Sequence, residues 1–325
     1  MLTPCIYLAI PCFNEEEVLP ISTPILLKIM QNLIDSGKIS ATSRILFIND
    51  GSKDHTWDVL NDLYNQNTLV EAVSLSRNRG HQNALHAGLM TAARFADAVI
   101  SMDVDLQDDP KVIAEMIDRF IQGYEVVYGV RCSRETDSFF KRHTALAFYH
   151  LQQRLGAEII DNHADCRLLS RRVINALAEY PERFLYLRGL IPLIGFKSTI
   201  VYYERHSRMA GESKYPLRAM LRLAKNGLLD FSDKLLSWIL PVGAVGLGGS
   251  IVGLLVSLIC HCCGRQVNPF VWLGLFIAFC TGLLLTALGM LGEYVGRLYV
   301  EVKKRPRYFI SDFLSHPSED ASKVI

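Results

Sequence analysis

Ala98–Pro110 reads AVISMDVDLQDDP, and the order of residue types in it decides how the neighbouring segments are interpreted. The apolar run Ala98–Met102 has the length and composition of a buried strand. Asp103 and Asp105 follow one residue apart at its end, and Asp108, Asp109 and Pro110 then stop the strand and open a helix. Hard divalent cations such as Mg²⁺ or Mn²⁺ take oxygen ligands and usually hold one or two carboxylates plus substrate phosphates. A carboxylate pair at the C-terminal end of a strand therefore suits a metal-bound diphosphate. An acidic loop that only caps the following helix uses the same residues, so the rest of the chain has to decide.

Working outward, Ile6–Ile10 is an expected strand that leaves through Pro11-Cys12-Phe13-Asn14. Glu15–Glu17 load the first turn of an expected helix running to about Ser36, where acids suit the helix dipole. Strand Arg44–Asn49 ends in the turn cluster Asn49-Asp50-Gly51-Ser52. A helix near Thr56–Asn65, a strand Leu69–Leu75 and a helix Gly80–Ala93 come before the opening stretch; a helix Lys111–Gln122 and a strand Glu125–Val130 come after it. Strands alternating with helices imply a parallel α/β sheet, because parallel neighbours need crossover connections. Ligands bind such sheets at the carboxyl ends of the strands. The polar loops after Ile10, Asn49, Leu75 and Met102 then share one edge.

Between Arg131 and Tyr215 the pattern is less regular. Phe139–Leu155 has helical character with Lys141, Arg142 and His143 near its start, Asp161–Asp165 is a polar loop, Arg171–Glu179 a short helix and Lys197–Tyr203 a strand. Arg205–Tyr215 is rich in donors: either a loop that closes over an anionic ligand or a solvated basic loop. In Pro216–Lys234 the residues Leu217, Met220, Leu221, Ala224, Leu228 and Phe231 recur at helical spacing, with Arg218, Arg222 and Lys225 on other faces. Such a basic amphipathic helix suits a membrane surface, and a helix packed on the soluble core is the alternative.

Leu235–Cys260 and Phe270–Gly292 each exceed the roughly eighteen apolar residues that mark a transmembrane helix. Their short connector makes them a hairpin. It carries Arg265, whereas Arg297, Lys303, Lys304, Arg305 and Arg307 follow the second span. The positive-inside rule therefore places both termini, the α/β domain and the tail 297–325 on the cytoplasmic side of a cell membrane. Gly243, Gly246, Gly248, Gly249 and Gly253 allow close helix packing, within the hairpin or in a homo-oligomer. No intramembrane acid or base marks a transport path.

The whole chain has 325 residues, a net charge of +1 and a hydrophobic fraction of 50%, enough for one large or two ordinary domains. Near-neutral charge gives no reason to expect a nucleic-acid partner. Met1–Ala9 lacks the basic and long apolar regions of a signal peptide. The 8 cysteines show no zinc-type double pair.

Five segments in this order, Pro11–Glu16, Asn49–Ser52, Leu75–His81, Asp103–Asp108 and Ala210–Tyr215, together with two spans, resemble the polyprenyl-phosphate glycosyltransferases. These are relatives of dolichyl-phosphate mannose synthase and of bacterial undecaprenyl-phosphate glucosyltransferases. The resemblance covers nearly the whole chain. It implies a GT-A (Rossmann-like) α/β domain over 1–215, a juxtamembrane amphipathic helix over 216–234 and a two-helix transmembrane hairpin within 235–296. It also implies a nucleotide-sugar donor, with UDP-glucose or another UDP-hexose preferred and GDP left open, a divalent Mg²⁺ or Mn²⁺, and a polyprenyl phosphate acceptor in the lipid bilayer.

Carried over residue by residue, the resemblance gives Pro11, Phe13 and Glu15 to the nucleoside pocket, Asp50 to the base or ribose, and Asp103 to the donor's nucleoside or sugar. Asp105, with Gln107, would hold the metal; Arg131 and Arg142 would receive the acceptor phosphate; Arg208 and Lys214 lie on the closing loop. Asp165 matches the position usually assigned as base. A phosphate monoester, with a second pKa near about 6, is largely dianionic at neutral pH and needs little deprotonation, so Asp165 has an orienting role open to it as well. Asn49 stands where many relatives carry an acid and Asp109 where many carry proline. A processive polysaccharide synthase shares the donor fold but normally needs more spans, and Gln152-Gln153-Arg154-Leu155 lacks the tryptophan of its usual acceptor motif. A non-catalytic, membrane-anchored nucleotide-sugar-binding module is the remaining alternative.

Overall fold

The computed structural model describes residues 3–131, 163–182, 185–204 and 301–316, with separate helical positions between 270 and 299. The chain divides into a unit of Met1–Gly227 with Pro306–Ile325 and a second unit, Leu228–Arg305.

The first unit is built on β1 (Ile6–Cys12), β2 (Arg44–Asn49), β3 (Val70–Leu75), β4 (Ala98–Ser101), β5 (Val126–Arg131), β6 (His163–Ser170), β7 (Ser198–Tyr203) and β8 (Ile310–Leu314). They form one 8-stranded sheet in the order β7-β5-β6-β4-β1-β2-β3-β8. β1 pairs in parallel with β2 and β4, and β2 with β3. β6 runs antiparallel between β4 and β5, β7 is parallel to β5, and β8 is antiparallel to β3. The helices are α1 (Leu19–Asp35), α2 (Thr56–Gln66), α3 (His81–Ala92), α4 (Val112–Ile121), α5 (Arg171–Ala178) and α6 (Leu187–Ile194).

Alternate residues of the strands, among them Ile6, Leu8, Ile10, Phe47, Ile100 and Leu168, pack with Leu26 and Met30 of α1 and Ile113 and Met116 of α4 in one buried cluster. Period-2 alternation of the strands and the apolar stripes of the helices meet there, which is the expected economy of an α/β layer. On the other face α3 lies so close to the sheet that a Cβ on Gly88 would stand 2.5 Å from Ile48 Cδ1. A larger residue there would have to displace the end of the Ile48 side chain.

Three departures from the sequence expectations shape the site. The helix expected from Glu15 begins at Leu19, with Pro20 in its first turn. Glu15–Glu17 belong instead to a turn in which the Glu15 carbonyl accepts from the amides of Val18 and Leu19. Asp165, expected on a polar loop, sits on β6, whose polar face is buried by pairing its own Asp and Arg. Part of the expected tail 297–325 is β8: the Ser76 amide donates to the Phe309 carbonyl at 3.0 Å and Tyr64 Oη to the Ser315 carbonyl at 3.1 Å. Arg307 Nη1 donates to His86 Nε2 at 2.7 Å, while Nη2 donates to the Tyr180 carbonyl. Buried beside that guanidinium, His86 is pushed down to about 4 and stays neutral.

Among the described residues no helix is long and apolar enough to cross a membrane. Leu235–Cys260 and the expected amphipathic helix Pro216–Lys234 lie outside the described residues, and Phe270–Gly292 is described only at separate positions. Phe270, Leu273, Ile277, Leu284 and Leu291 at those positions are exposed.

Candidate active site

The carboxyl ends of β1, β2, β3 and β4 share one edge, and their loops are tied to each other before any ligand arrives. The Asn14 amide donates to Ser52 Oγ at 3.0 Å and Asn14 Oδ1 accepts from the Lys53 amide at 3.0 Å. Asn14 reaches this with φ +55°, a left-handed conformation that Asn tolerates better than most residues. The Glu15 amide donates to Thr56 Oγ1 at 2.8 Å. Asp50, buried, accepts the Arg79 amide at 2.7 Å and the Gly80 amide at 2.8 Å. Burial raises its carboxyl above the ordinary value even though those two amides pull the other way. A Cβ on Gly51 would stand 2.5 Å from the Arg77–Asn78 backbone, so the loops after β2 and β3 are in contact. Pro11, Phe13 and Glu15 therefore lie on a braced rim, and Asp50 holds the loop that leads into α3.

After β4, Val104 and Leu106 turn into the core while Asp103, Asp105 and Gln107 are only half-buried. Leu106 takes φ +49°, and Asp105 Oδ1 accepts the Gln107 amide at 3.2 Å. This tight turn puts Asp105 and Gln107 on the side away from the core. Among the described residues no three His, Cys, Asp or Glu side chains gather as a metal cage. A carboxylate and an amide carbonyl are hard oxygen donors, and they fit a cation whose remaining ligands come from substrate phosphates.

β6 brings the fourth acid. Its antiparallel course sets Arg167 opposite Ser101 of β4, so Asp165, two residues earlier, falls beside the residues that follow β4. Arg167 is fully buried and pairs with Asp165 through Nη2. Arg188 of α6 donates Nε to Asp165 Oδ1 at 3.2 Å and Nη2 to Oδ2 at 3.1 Å. Burial works to raise the Asp165 carboxyl, but Arg188, Arg167 and His81 overcome it and hold it far below the usual carboxylate range. Asp103 goes the opposite way: burial, with Asp165, Asp108 and Asp105 near it, pushes it up to about 6 against the pull of His81. His81, the first residue of α3, places Nε2 3.9 Å from Asp103 Oδ1 and 3.7 Å from Asp165 Oδ2.

The structure thus gathers Asp103, Asp165 and His81, with Asp105 and Gln107 on the adjoining turn. Arg131 ends β5 in register with Tyr203; its side chain, and the whole of Arg142, Arg208 and Lys214, lie outside the described residues. His81, Arg167 and Arg188 were not singled out as site residues from the sequence. A signal for β6 exists in HADCRLLS, where Cys166 and Leu168 alternate with Asp165 and Arg167. The sequence could not tell that the polar face is buried by ion pairing.

Residues 7–178 match the family described as Glycosyl transferase family 2. The chain belongs to that family. The observed α/β sheet and the family match over residues 7–178 agree with the expected GT-A fold class. The chain is 44% identical over 307 residues to the uncharacterized glycosyltransferase YkoT of Bacillus subtilis (strain 168), covering 94% of this chain and 91% of that one. It is 38% identical over 307 residues to the prophage bactoprenol glucosyl transferase homolog of Escherichia coli (strain K12), covering 94% and 98%. Among solved structures it is similar to glucosyl-3-phosphoglycerate synthase from Mycobacterium tuberculosis in complex with phosphoglyceric acid, at 16% identity and TM-score 0.45 over 70% of this chain and 80% of that one.

Proposed function

We propose that this family-2 enzyme is a membrane-bound inverting glycosyltransferase that moves a hexose from a nucleotide sugar, UDP-linked by preference, to a polyprenyl phosphate. The observation that carries the reading is the pairing, at one sheet edge, of the Asp103–Gln107 turn with an Asp165 already neutralised by two arginines. The bactoprenol glucosyl transferase homolog of Escherichia coli, matched over 98% of its length, supports the lipid-phosphate acceptor. Exposed apolar side chains at Phe270, Leu273, Ile277, Leu284 and Leu291 support a membrane-embedded hairpin, and the expected basic amphipathic helix Pro216–Lys234 with the positive residues after the second span supports the cytoplasmic face of the inner membrane.

In the proposed reaction an oxygen of the lipid phosphate attacks the anomeric carbon. A new C–O bond forms as the bond to the diphosphate breaks, and the nucleoside diphosphate leaves with the electron pair. Asp105 and Gln107 would hold Mg²⁺ or Mn²⁺, which when bound supplies Lewis-acid stabilisation of the departing charge. Asp103, Asp50 and the braced rim of Pro11, Phe13 and Glu15 hold the donor. Arg208 and Lys214 add fixed positive charge at the diphosphate, with Arg131 and Arg142 at the acceptor phosphate. Asp165 orients rather than deprotonates: a carboxylate held so far below its usual range is a poor base, and the dianionic nucleophile needs none.

The test is purified protein in detergent with undecaprenyl phosphate, Mg²⁺ or Mn²⁺ and a panel of UDP- and GDP-sugars, read by mass spectrometry. A glycosylated lipid phosphate from one donor, lost on EDTA treatment and in Asp105→Ala, is expected. Nucleotide binding without lipid product from any donor overturns the acceptor assignment.

A further inference from the structure

Arg297, Lys303, Lys304, Arg305 and Arg307 follow the second apolar span, and the positive-inside rule treats them alike. The structure does not. Lys303, Lys304 and Arg305 are exposed, whereas Arg307 is half-buried with its fork turned onto two other segments. Nη1 donates to His86 Nε2 at 2.7 Å and Nη2 to the Tyr180 carbonyl. An arginine only donates, so His86 Nε2 accepts and the hydrogen of the neutral ring stands on Nδ1. That Nδ1 is buried and has no hydrogen-bond partner among the described residues. Leaving a buried donor unpaired costs stability, and here it keeps the other ring nitrogen open to Arg307.

Both acceptors lie on elements that place the acids of the site. His86 is on α3, five residues after His81 and about 7.5 Å further along the helix axis. His81 Nε2 stands 3.9 Å from Asp103 Oδ1 and 3.7 Å from Asp165 Oδ2. Tyr180 follows α5, which continues directly from β6 and its Asp165. Near its start α3 is also tied at Gln82, whose Oε1 accepts the Leu187 amide at 3.2 Å, beside the Arg188 that clamps Asp165. β8 fixes where Arg307 enters: Ile310 pairs with Leu75, and the Phe309 carbonyl accepts the Ser76 amide at 3.0 Å. We propose that Arg307 is a positioning residue for the transfer reaction, locking α3 to the chain after α5 so that His81 keeps its place between Asp103 and Asp165. This rests on the glycosyl-transfer reading and adds to it a residue that acts through α3 rather than by touching the donor.

Initial rates are measured on the full chain in detergent, over ranges of nucleotide sugar and of undecaprenyl phosphate. The variants are Arg307→Ala, Arg307→Lys, His86→Leu and His86→Gln. Arg307→Ala is expected to lose roughly 10- to 100-fold in kcat/KM for the nucleotide sugar, the scale of a small misplacement remote from the chemistry. The KM for the nucleotide sugar should rise and that for the lipid stay within twofold, because α3 serves the donor side. His86→Leu should lose a similar factor, and the double variant with Arg307→Ala little more, since both remove one contact. Arg307→Lys, which keeps a cationic donor without the fork, and His86→Gln, which offers an amide oxygen, should each recover part of the loss. A fall in kcat with both KM values unchanged is what a smaller folded fraction gives, and it overturns the proposal. So does Arg307→Ala within twofold of wild type, or single losses that multiply in the double variant. Should Arg307→Ala fail to fold, Arg307→Lys and the two His86 variants decide by the same criteria. Calorimetric binding of UDP with Mn²⁺ separates this inference from the functional reading. If wild type binds UDP but glycosylates no lipid, the functional reading fails alone. UDP binding weakened about tenfold in folded Arg307→Ala then still supports the positioning role, and unchanged binding overturns it. A wild type that binds no UDP overturns both.

Discussion

Asp103 and Asp165 flank the same imidazole nitrogen, yet the fold treats them in opposite ways. Asp103 follows a parallel strand out of the sheet, its side chain 43% exposed among three other acids, and its carboxyl is pushed up to about 6. Asp165 enters on an antiparallel strand, 13% exposed, clamped by Arg167 and Arg188, and its carboxyl is held far down. The strand direction makes the difference. A parallel strand delivers its last residues to the open edge, where Asp103 meets His81 and other acids rather than a buried arginine. An antiparallel strand carries its first residues past the same point and continues into the core, so Asp165 brings Arg167 behind it. An acid set among other acids at the open edge suits a donor and its cation, while an acid already paired with two arginines suits holding things in place.

The largest effect that would sharpen this contrast is at the turn itself. Asp105→Asn keeps the size of the side chain and removes the charge, and about a 10³-fold loss of lipid glycosylation is expected, typical of losing a central electrostatic contact. Product formation by mass spectrometry checks it, and a loss under tenfold would break the assignment of Asp105.

A smaller catalytic effect and a larger structural one are expected from Asp165→Asn. Turnover should fall roughly 10²-fold, less than for Asp105→Asn, and the pH profile of kcat/KM should keep its shape, because no base has been removed. Folding stability should fall by about 3 kcal/mol, since the fully buried Arg167 loses the charge it is paired with. The sign with pH follows from the depressed carboxyl: its contribution is complete above the unfolded value near about 4 and is lost as pH falls further. The wild-type advantage over Asp165→Asn in denaturant titrations should therefore shrink only in acid. A rate loss matching Asp105→Asn, accompanied by loss of an acid limb, would instead make Asp165 the base.

The parallel half of this site was legible because each strand is short, apolar and followed by a turn cluster, and the topology then forces those loops onto one edge. Asp103 and Asp105 were found that way, while Gln107 and Asp50 took their roles from the resemblance. Asp165 was found by resemblance, but its strand was not, since Asp and Arg on an inward face contradict hydrophobic patterning until they are seen to pair. His81 was quoted within Leu75–His81 and passed over, because nothing in sequence separates a helix-opening histidine from one whose Nε2 lies between two acids. β8 was missed for a different reason. ISDFL is a weak strand alone, and its pairing with β3 is a contact between residues more than two hundred positions apart, as Ser74↔Asp312 illustrates.

The smallest expected effect on transfer is at Glu71, the control for the whole comparison. Glu71 lies within β3, is 3% exposed, and burial pushes it up to about 7 despite Arg44. Its shift is as large as that of Asp103, but it sits inside the sheet rather than at the carboxyl edge. A perturbed acid alone is therefore not a mark of the site; location beside the other loops is. Glu71→Gln should leave lipid glycosylation within twofold of wild type. Stability should respond with the sign of a raised carboxyl. The unfolded chain ionises near about 4.3 while the folded one still holds its proton, so the cost of the buried charge grows between that pH and about 7 and is constant above. The glutamine variant should lie close to wild type at pH 4.5, where the acid is protonated, and exceed it at pH 8 by on the order of 1–3 kcal/mol. Denaturant midpoints at the two pH values check this. A glycosylation loss comparable to Asp165→Asn at unchanged stability would show that burial of charge, rather than the strand-end position, is what ties an acid of this sheet to the reaction.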